Sequence, residues 1–433
     1  MDLLTANDHA GEYPRSYYAD NATPLPPFAP AQGALSCDVC VIGGGFTGLS
    51  AALHLAERGY DVILLEAQRV GFGASGRNGG QVGMGQRLDQ DTLEGMVGTT
   101  AARALWDMAL DSVALTRELA QTHAPEAGFK EGIIHAAHKA KYVADAHVYA
   151  EKLARDYNYD QIRPLDRAQL QELLKSPAYY GGDIDMGAGH LDPLRYALGL
   201  ARAVQAAGVR IFEGSRVTSL TTSDPAIVKT ENAVITARYV ALGCNGYLGN
   251  LAPAVAARVM PINNYIAATR PLTESERANV MPSDHAVADT KFVVNYFRFS
   301  PDNRLLFGGT ESYGYRFPAD IAGKVRRPMA QIFPQLADIN LTHAWGGTLG
   351  ISFNRMPHFA RLAGNILSAS GYSGHGVAMG TLGGKLLAEA ISGQAERFDL
   401  MAQVPTPAFP GGASLRWPLL VAAMLWFSLR DRL

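Results

Sequence analysis

Residues 37–48 read Cys37-Asp38-Val39-Cys40-Val41-Ile42-Gly43-Gly44-Gly45-Phe46-Thr47-Gly48, and an apolar-periodic segment, 49–58, follows without a break. The first six residues have the composition of a short buried strand, the glycines that of a turn, and the periodic segment that of a helix. A second apolar run, 61–65, ends at Glu66, 18 residues after Gly48. Strand, glycine turn, helix, strand and acid in that order specify a Rossmann-type dinucleotide unit. Gly43 permits the tight turn, Gly45 lets the backbone approach a pyrophosphate, and Gly48 lets helix and strand pack closely. The phosphates then sit at the helix N-terminus, beside Phe46 and Thr47. Glu66, with Ala67 next to it, accepts hydrogen bonds from ribose hydroxyls and disfavours a 2′-phosphate. NADP is therefore the worst fit, and this unit alone leaves NAD and FAD open.

Two further glycine clusters favour FAD. The second, Gly71-Phe72-Gly73-Ala74-Ser75-Gly76-Arg77-Asn78-Gly79-Gly80-Gln81, follows the second strand and offers many backbone N–H groups and one guanidinium to a diphosphate or a flavin edge. The third, Gly371-Tyr372-Ser373-Gly374-His375-Gly376-Val377, lies between an apolar strand, 366–369, and a helical run, 377–391. Such a helix N-terminus suits the electron-rich edge of a reduced flavin. An ordinary turn explains any one cluster, but three together call for a long cofactor.

Composition narrows the remaining classes. The 433 residues are 48% hydrophobic and 18% charged, with a formal net charge of −2. That leaves no basic surplus for a nucleic-acid backbone. Three cysteines exclude a disulfide framework and fit a reducing compartment. Cys37 and Cys40 have CxxC spacing but lie on a strand, where residues three apart point to opposite faces, so two buried apolar thiols are expected. No His pattern suggests a metal site. Residues 1–35 carry no basic start and no apolar run, so a cytoplasmic location is the default expectation. Their prolines make an extended arm that either wraps the core or stays disordered. The apolar run 417–429 is too short to span a bilayer as a helix. It is expected to pack against the body, or to touch a membrane surface peripherally.

The three glycine clusters, Ser16-Tyr17-Tyr18 in the arm and the ending Ala395-Glu396-Arg397-Phe398-Asp399, Phe409-Pro410-Gly411-Gly412 and Ser428-Leu429-Arg430-Asp431-Arg432-Leu433 resemble the D-amino-acid oxidase-like family, which includes sarcosine and glycine oxidases. The resemblance implies an α/β fold with an α+β second domain: a Rossmann-type FAD-binding domain beside an antiparallel-sheet substrate domain. It implies a discontinuous FAD domain over 36–95, 150–250 and 355–400, a substrate domain over 96–149 and 251–354, and a tail from 401 to 433 with an apolar helix. It also implies a backbone contact to adenine at Val217. FAD should be noncovalent, because 354–358 contains no cysteine.

The activity implied is oxidation of the C–N bond of a small amine or amino-acid derivative, with γ-glutamylputrescine as the best-fitting substrate. The imine formed hydrolyses to aldehyde and ammonia, and electrons pass to O₂ or to a quinone. A flavin-binding interaction protein without turnover is the reading from another class. His375 lies between glycines at the predicted helix start, placing it beside the flavin or making it a mere support of the loop. Arg77, Arg87, Arg298 and Arg304 are the candidate anchors for an anionic group, and Arg298, two residues from Tyr296 on one strand face, is placed by that spacing to contact substrate jointly with that ring. An acid is expected in place of Asn295 to hold a cationic amine, and its absence weakens a polyamine assignment.

Overall fold

A computed structural model describes residues 2–312 and 314–411. The apolar run 417–429 lies outside the described residues. The opening motif forms as its composition requires. The strand Gly33–Ile42 and the strand Val62–Leu65 are buried where they pair, as continuous Val/Ile/Leu runs are in a parallel sheet covered on both faces. The main path of the eight-stranded sheet they found runs His358–Ala363, Ile366–Ser370, Ala233–Leu242, Gly33–Ile42, Val62–Leu65, Arg210–Phe212, and along it all neighbours but the first pair are parallel.

Helices Phe46–Ala56, Pro193–Ala206, Ala378–Ile391 and Thr99–His123 share one apolar cluster over this sheet. Pro193 starts its helix where a missing N–H costs nothing, and Asp192 accepts from the N–H groups of Leu194 and Arg195. Helices Phe46–Ala56 and Ala378–Ile391 meet backbone to backbone: a Cβ at Gly384 would lie 2.3 Å from the Thr47 carbonyl oxygen.

The second sheet has nine strands. Its main path is Leu341–Ser352, Val259–Thr269, Leu305–Ser312, Tyr296–Phe299, Ala286–Asp289, Lys130–Ala136, Gly182–His190, Gln81–Val82. Pairing is antiparallel except between Ala286–Asp289 and Lys130–Ala136. Alternation divides its faces. Tyr265, Phe297 and Phe307 join the helix Ile321–Ile332 in one core, while Asn264, Ile266 and Tyr296 face the first domain's cofactor cleft. Gly309, at φ +154°, is the extra residue of a bulge opposite Tyr265 and Ile266. The bulge reverses the parity of the strand beyond it, so Glu311 pairs with Asn264 and turns to the cleft.

The two-domain α/β architecture stands, with corrected segments. Ile162–Leu165 and Gly182–His190 belong to the second sheet, although 150–250 is assigned to the FAD domain by resemblance. The helix Thr99–His123, assigned to the substrate domain, packs on the first. Helical or strand periodicity shows that one face is buried, not which sheet buries it. Cys40 is buried but Cys37, nearer the strand's open end, is only half-buried; both are free.

The arm wraps. Ser16 caps a short helix, Tyr17–Asn21, and Tyr17 and Tyr18 are buried beneath it. Ahead of it, Gln68 Nε2 donates to the Leu4 carbonyl, and the Asn7 side chain donates to the Tyr315 carbonyl and accepts from the Phe317 N–H. The arm thus links the cofactor cleft to the loop after Ser312.

Candidate active site

One cavity of about 1690 Å³ runs between the two domains. A single drug-sized ligand fills roughly 300–1,000 Å³, so the space suits a dinucleotide with a substrate beside it. At one end lie Gly43, Gly45, Phe46 and Thr47 of the first glycine turn, then Glu66 and Ala67, then Val217 with its neighbours Ser215 and Arg216. Asp2, Leu3 and Leu4 of the arm close this end. Gly73, Ala74, Ser75, Arg77, Asn78 and Gly79 continue the wall, and Gly374, His375, Gly376 and Val377 stand across from them.

These residues fit FAD on geometric grounds. Gly43 has φ +109°, and a Cβ there would lie 2.9 Å from the Gly243 carbonyl oxygen. The helix N-terminus at Gly45 has no capping side chain of its own; the Phe46 N–H donates to Ser75 Oγ at 3.0 Å, and the next first-turn amides have no intrahelical partner. Glu66 receives the N–H groups of Gly44 (2.6 Å) and Gln68 (2.9 Å), which fix its carboxylate at the edge of the cleft with lone pairs to spare for ribose hydroxyls. Burial pushes its pKa up, against those two backbone donors.

Gly48, Gly76 and Gly80 do not line the cavity. They are packing glycines: an added Cβ would lie 1.7 Å from the Gly43 oxygen, 2.3 Å from the Gly71 oxygen and 2.0 Å from the Leu191 oxygen, respectively. Arg77 lines the wall, and two of its three guanidinium nitrogens are engaged. Nε donates to the Phe72 carbonyl at 2.6 Å and Nη1 pairs with the buried Asp8 of the arm at 2.9 Å. These bonds hold the arm, while the buried Nη2 has no hydrogen-bond partner among the described residues and stays open to the expected cofactor contact.

Arg298 is a clear correction. It shares a strand face with Tyr296, as expected, yet it lies beyond the cavity lining, under Gly80. Nε donates to the Gly79 carbonyl at 2.8 Å, Nη2 to the Tyr18 hydroxyl at 3.2 Å and Nη1 to the Phe299 carbonyl at 3.3 Å. A guanidinium with all three arms engaged has no fork to offer a substrate. The variant Arg298→Met should lose about 3 kcal/mol of stability by orphaning these buried groups. Its KM for amine should stay within about twofold of wild type; a rise of tenfold or more in the folded variant would restore the anchor role. Arg304 is likewise spent, on Asp302, the Thr269 carbonyl and Thr342.

Tyr296 and His375 do face the cavity. The Tyr296 hydroxyl donates to Asn264 Oδ1 at 2.5 Å, and burial raises its pKa far above the phenol range, so it stays neutral. His375 Nδ1 lies 3.4 Å from the Gly85 carbonyl, an oxygen that can only accept, so Nδ1 carries the proton and Nε2 a lone pair. Burial, then the charge of Arg87, pulls its pKa down to about 4. It is therefore a neutral imidazole at pH 7.

Several lining residues went unnoticed in the sequence. Asn264 and Glu311 come from adjacent strands and Arg355 from a loop, whereas Arg87, one of the candidate arginines, does line the cavity. A further part of the wall holds His135, Asp183 and Asp185 with Trp106 and Tyr149. There His135 Nδ1 meets Asp183 Oδ1 at 2.7 Å; burial opposes its charge but Asp183 outweighs it, and the pKa rises to about 9. Asn295, where an acid was expected, is buried on Asp289 and does not line the cavity.

Comparison with known proteins agrees with this geometry. The family described as FAD dependent oxidoreductase matches residues 38–390. A probable oxidoreductase, OrdL, of Rhizobium meliloti is 41% identical over 418 residues, 96% of this chain and 97% of that protein. The γ-glutamylputrescine oxidoreductase of Escherichia coli is 40% identical over 423 residues, 98% and 99% of the two chains. Among solved structures, glycine oxidase from Geobacillus kaustophilus superposes with a TM-score of 0.74 at 21% identity, over 87% of this chain and all of that one. A glycine-turn cleft, a cavity sized for a dinucleotide and a family match across most of the chain lead to one assignment: the chain belongs to the D-amino-acid oxidase (DAO) family of FAD-dependent oxidoreductases.

Proposed function

We propose that this enzyme oxidises the terminal C–N bond of γ-glutamylputrescine or a closely similar γ-glutamylated amine. The observation that carries the reading is a single cavity that joins the dinucleotide cleft to a neutral histidine and then to charged side chains of both signs. The similarity to a γ-glutamylputrescine oxidoreductase over nearly the whole of both chains supports it.

An alkyl ammonium near pKa 10 must lose a proton before its α-carbon can give up hydride. We assign that proton to His375 Nε2, its other nitrogen being turned to the Gly85 carbonyl, and the desolvation that lowers the imidazole pKa would lower that of the bound ammonium as well. The Tyr296 ring forms a rigid wall: a Cβ at Gly79 would lie 2.6 Å from it, so glycine there brings backbone and ring together. Bound FAD supplies the two-electron acceptor. The substrate loses a hydride and a proton to become an imine, and water converts the imine to aldehyde and ammonia. Val217, with the turn Gly43 to Thr47, Glu66 and the loop from Gly73 to Asn78, would hold the cofactor's two ends.

Aerobic turnover of γ-glutamylputrescine, putrescine, sarcosine and D-alanine tests the reading. The expected result is ammonia and aldehyde from γ-glutamylputrescine, with kcat/KM at least about 100-fold above the others, and hydrogen peroxide in equal amount. Turnover with an added quinone but no peroxide would change the acceptor to a quinone. Preference for sarcosine or D-alanine would overturn the substrate.

A further inference from the structure

Among the charged side chains of the cavity wall, Arg87 and Glu311 are largely withdrawn from water yet have no partner among the described residues. Arg87, on the loop after Gln81–Val82, makes no hydrogen bond or ion pair there, and neither does the side chain of Glu311. Each is near enough to bias the other's protonation, yet no ion pair joins them. Both are largely withdrawn from water: burial lowers the pKa of Arg87 and raises that of Glu311 to about 6. Charges taken out of water are normally paired. A guanidinium and a carboxylate that line one cavity without bridging leave a gap for a ligand carrying the complementary charges.

The surrounding charges say which end goes where. Arg355, its guanidinium 5.2 Å from the centre of the Phe292 ring, adds a second positive charge close to both Arg87 and Glu311. Lys324 Nζ donates to the Glu311 carbonyl oxygen at 2.8 Å and adds a further positive charge near its carboxylate. Arg87 thus offers an unpaired positive charge to an anion, beside one carboxylate turned inward. The bulge at Gly309 gives Glu311 that direction, which supports a built position for this acid.

We propose that Arg87 and Glu311 form a subsite for a zwitterionic α-amino-acid head, the carboxylate on Arg87 and the ammonium on Glu311. This deepens the substrate reading given above, on which the identity of the whole substrate rests. The head docks here, and the rest of the molecule extends past His375 and Tyr296. A planar guanidinium fork fits both carboxylate oxygens, and the acid rejects ligands that lack the cation.

Calorimetric titration of the FAD-loaded enzyme with γ-glutamylethylamide, which has the head but no oxidisable terminal amine, reads the subsite without turnover. Glutaric monoethylamide, lacking the ammonium, and 4-aminobutyric ethylamide, lacking the carboxylate, should each bind at least about tenfold more weakly. Arg87→Met and Glu311→Gln should lose the same factor for γ-glutamylethylamide, while N-acetylputrescine, which has no zwitterion, shifts less than about twofold. Equal affinity for all three amides on the wild-type enzyme would overturn the subsite even if a variant failed to fold. So would equal losses for γ-glutamylethylamide and N-acetylputrescine in the variants. Failure to oxidise γ-glutamylputrescine would sink the proposed function alone, because the amide titration involves no oxidation.

Discussion

Gly45→Val should purify colourless, with FAD affinity lowered by at least about 100-fold, or about 3 kcal/mol. The position isolates one cause. Gly45 has φ −90°, which any residue adopts, so a side chain there strains no backbone. Its bulk instead fills the mouth of the glycine turn: a Cβ would lie 2.8 Å from Ser75 Oγ, the atom that takes the Phe46 N–H. Gly43→Val would be less informative, since its φ of +109° adds strain wherever FAD sits. Visible absorbance of the purified protein after FAD addition is the readout. A Gly45→Val protein carrying FAD in equal amount would remove the diphosphate from this turn.

His375→Ala should retain FAD but lower the limiting rate of flavin bleaching by amine about 100-fold or more. In the wild type, burial and then Arg87 hold the imidazole pKa near 4, so the base form is present across the neutral range and lost only as pH falls through about 4. The rate should therefore show no ionisation from this group between pH 6 and 9. In His375→Ala the solvent must take the substrate proton, so the deficit should shrink as pH rises toward the amine's own pKa near 10. A deficit that stays constant with pH would make His375 a support of the loop rather than a base.

The parts of the molecule legible in the sequence are those that local rules decide. The run from Val39 to Glu66 fixes the mononucleotide unit, because a buried parallel strand, a glycine turn and an amphipathic helix each leave a distinct mark over a few residues. The same holds for the turn from Gly371 to Val377 ahead of its helix. Arg298 shows where local rules stop. Its i, i+2 relation to Tyr296 does place both on one face, but the arm and Gly80 cover one and leave the other open, which no spacing within the strand records. Glu311 was hidden for a sharper reason. Counting alternate residues from Leu306 places position 311 on the far face, and only the bulge at Gly309 brings it round. The arm contact of Arg77 was hidden as well, because its partner, Asp8, lies 69 residues away.

The most direct test is anaerobic mixing of the FAD-loaded enzyme with γ-glutamylputrescine, followed in the visible spectrum. Complete bleaching within seconds, at a rate that saturates with amine and with one aldehyde formed per flavin, is the predicted result. A flavin that stays oxidised at millimolar γ-glutamylputrescine, while another amine bleaches it, would contradict the proposed reaction.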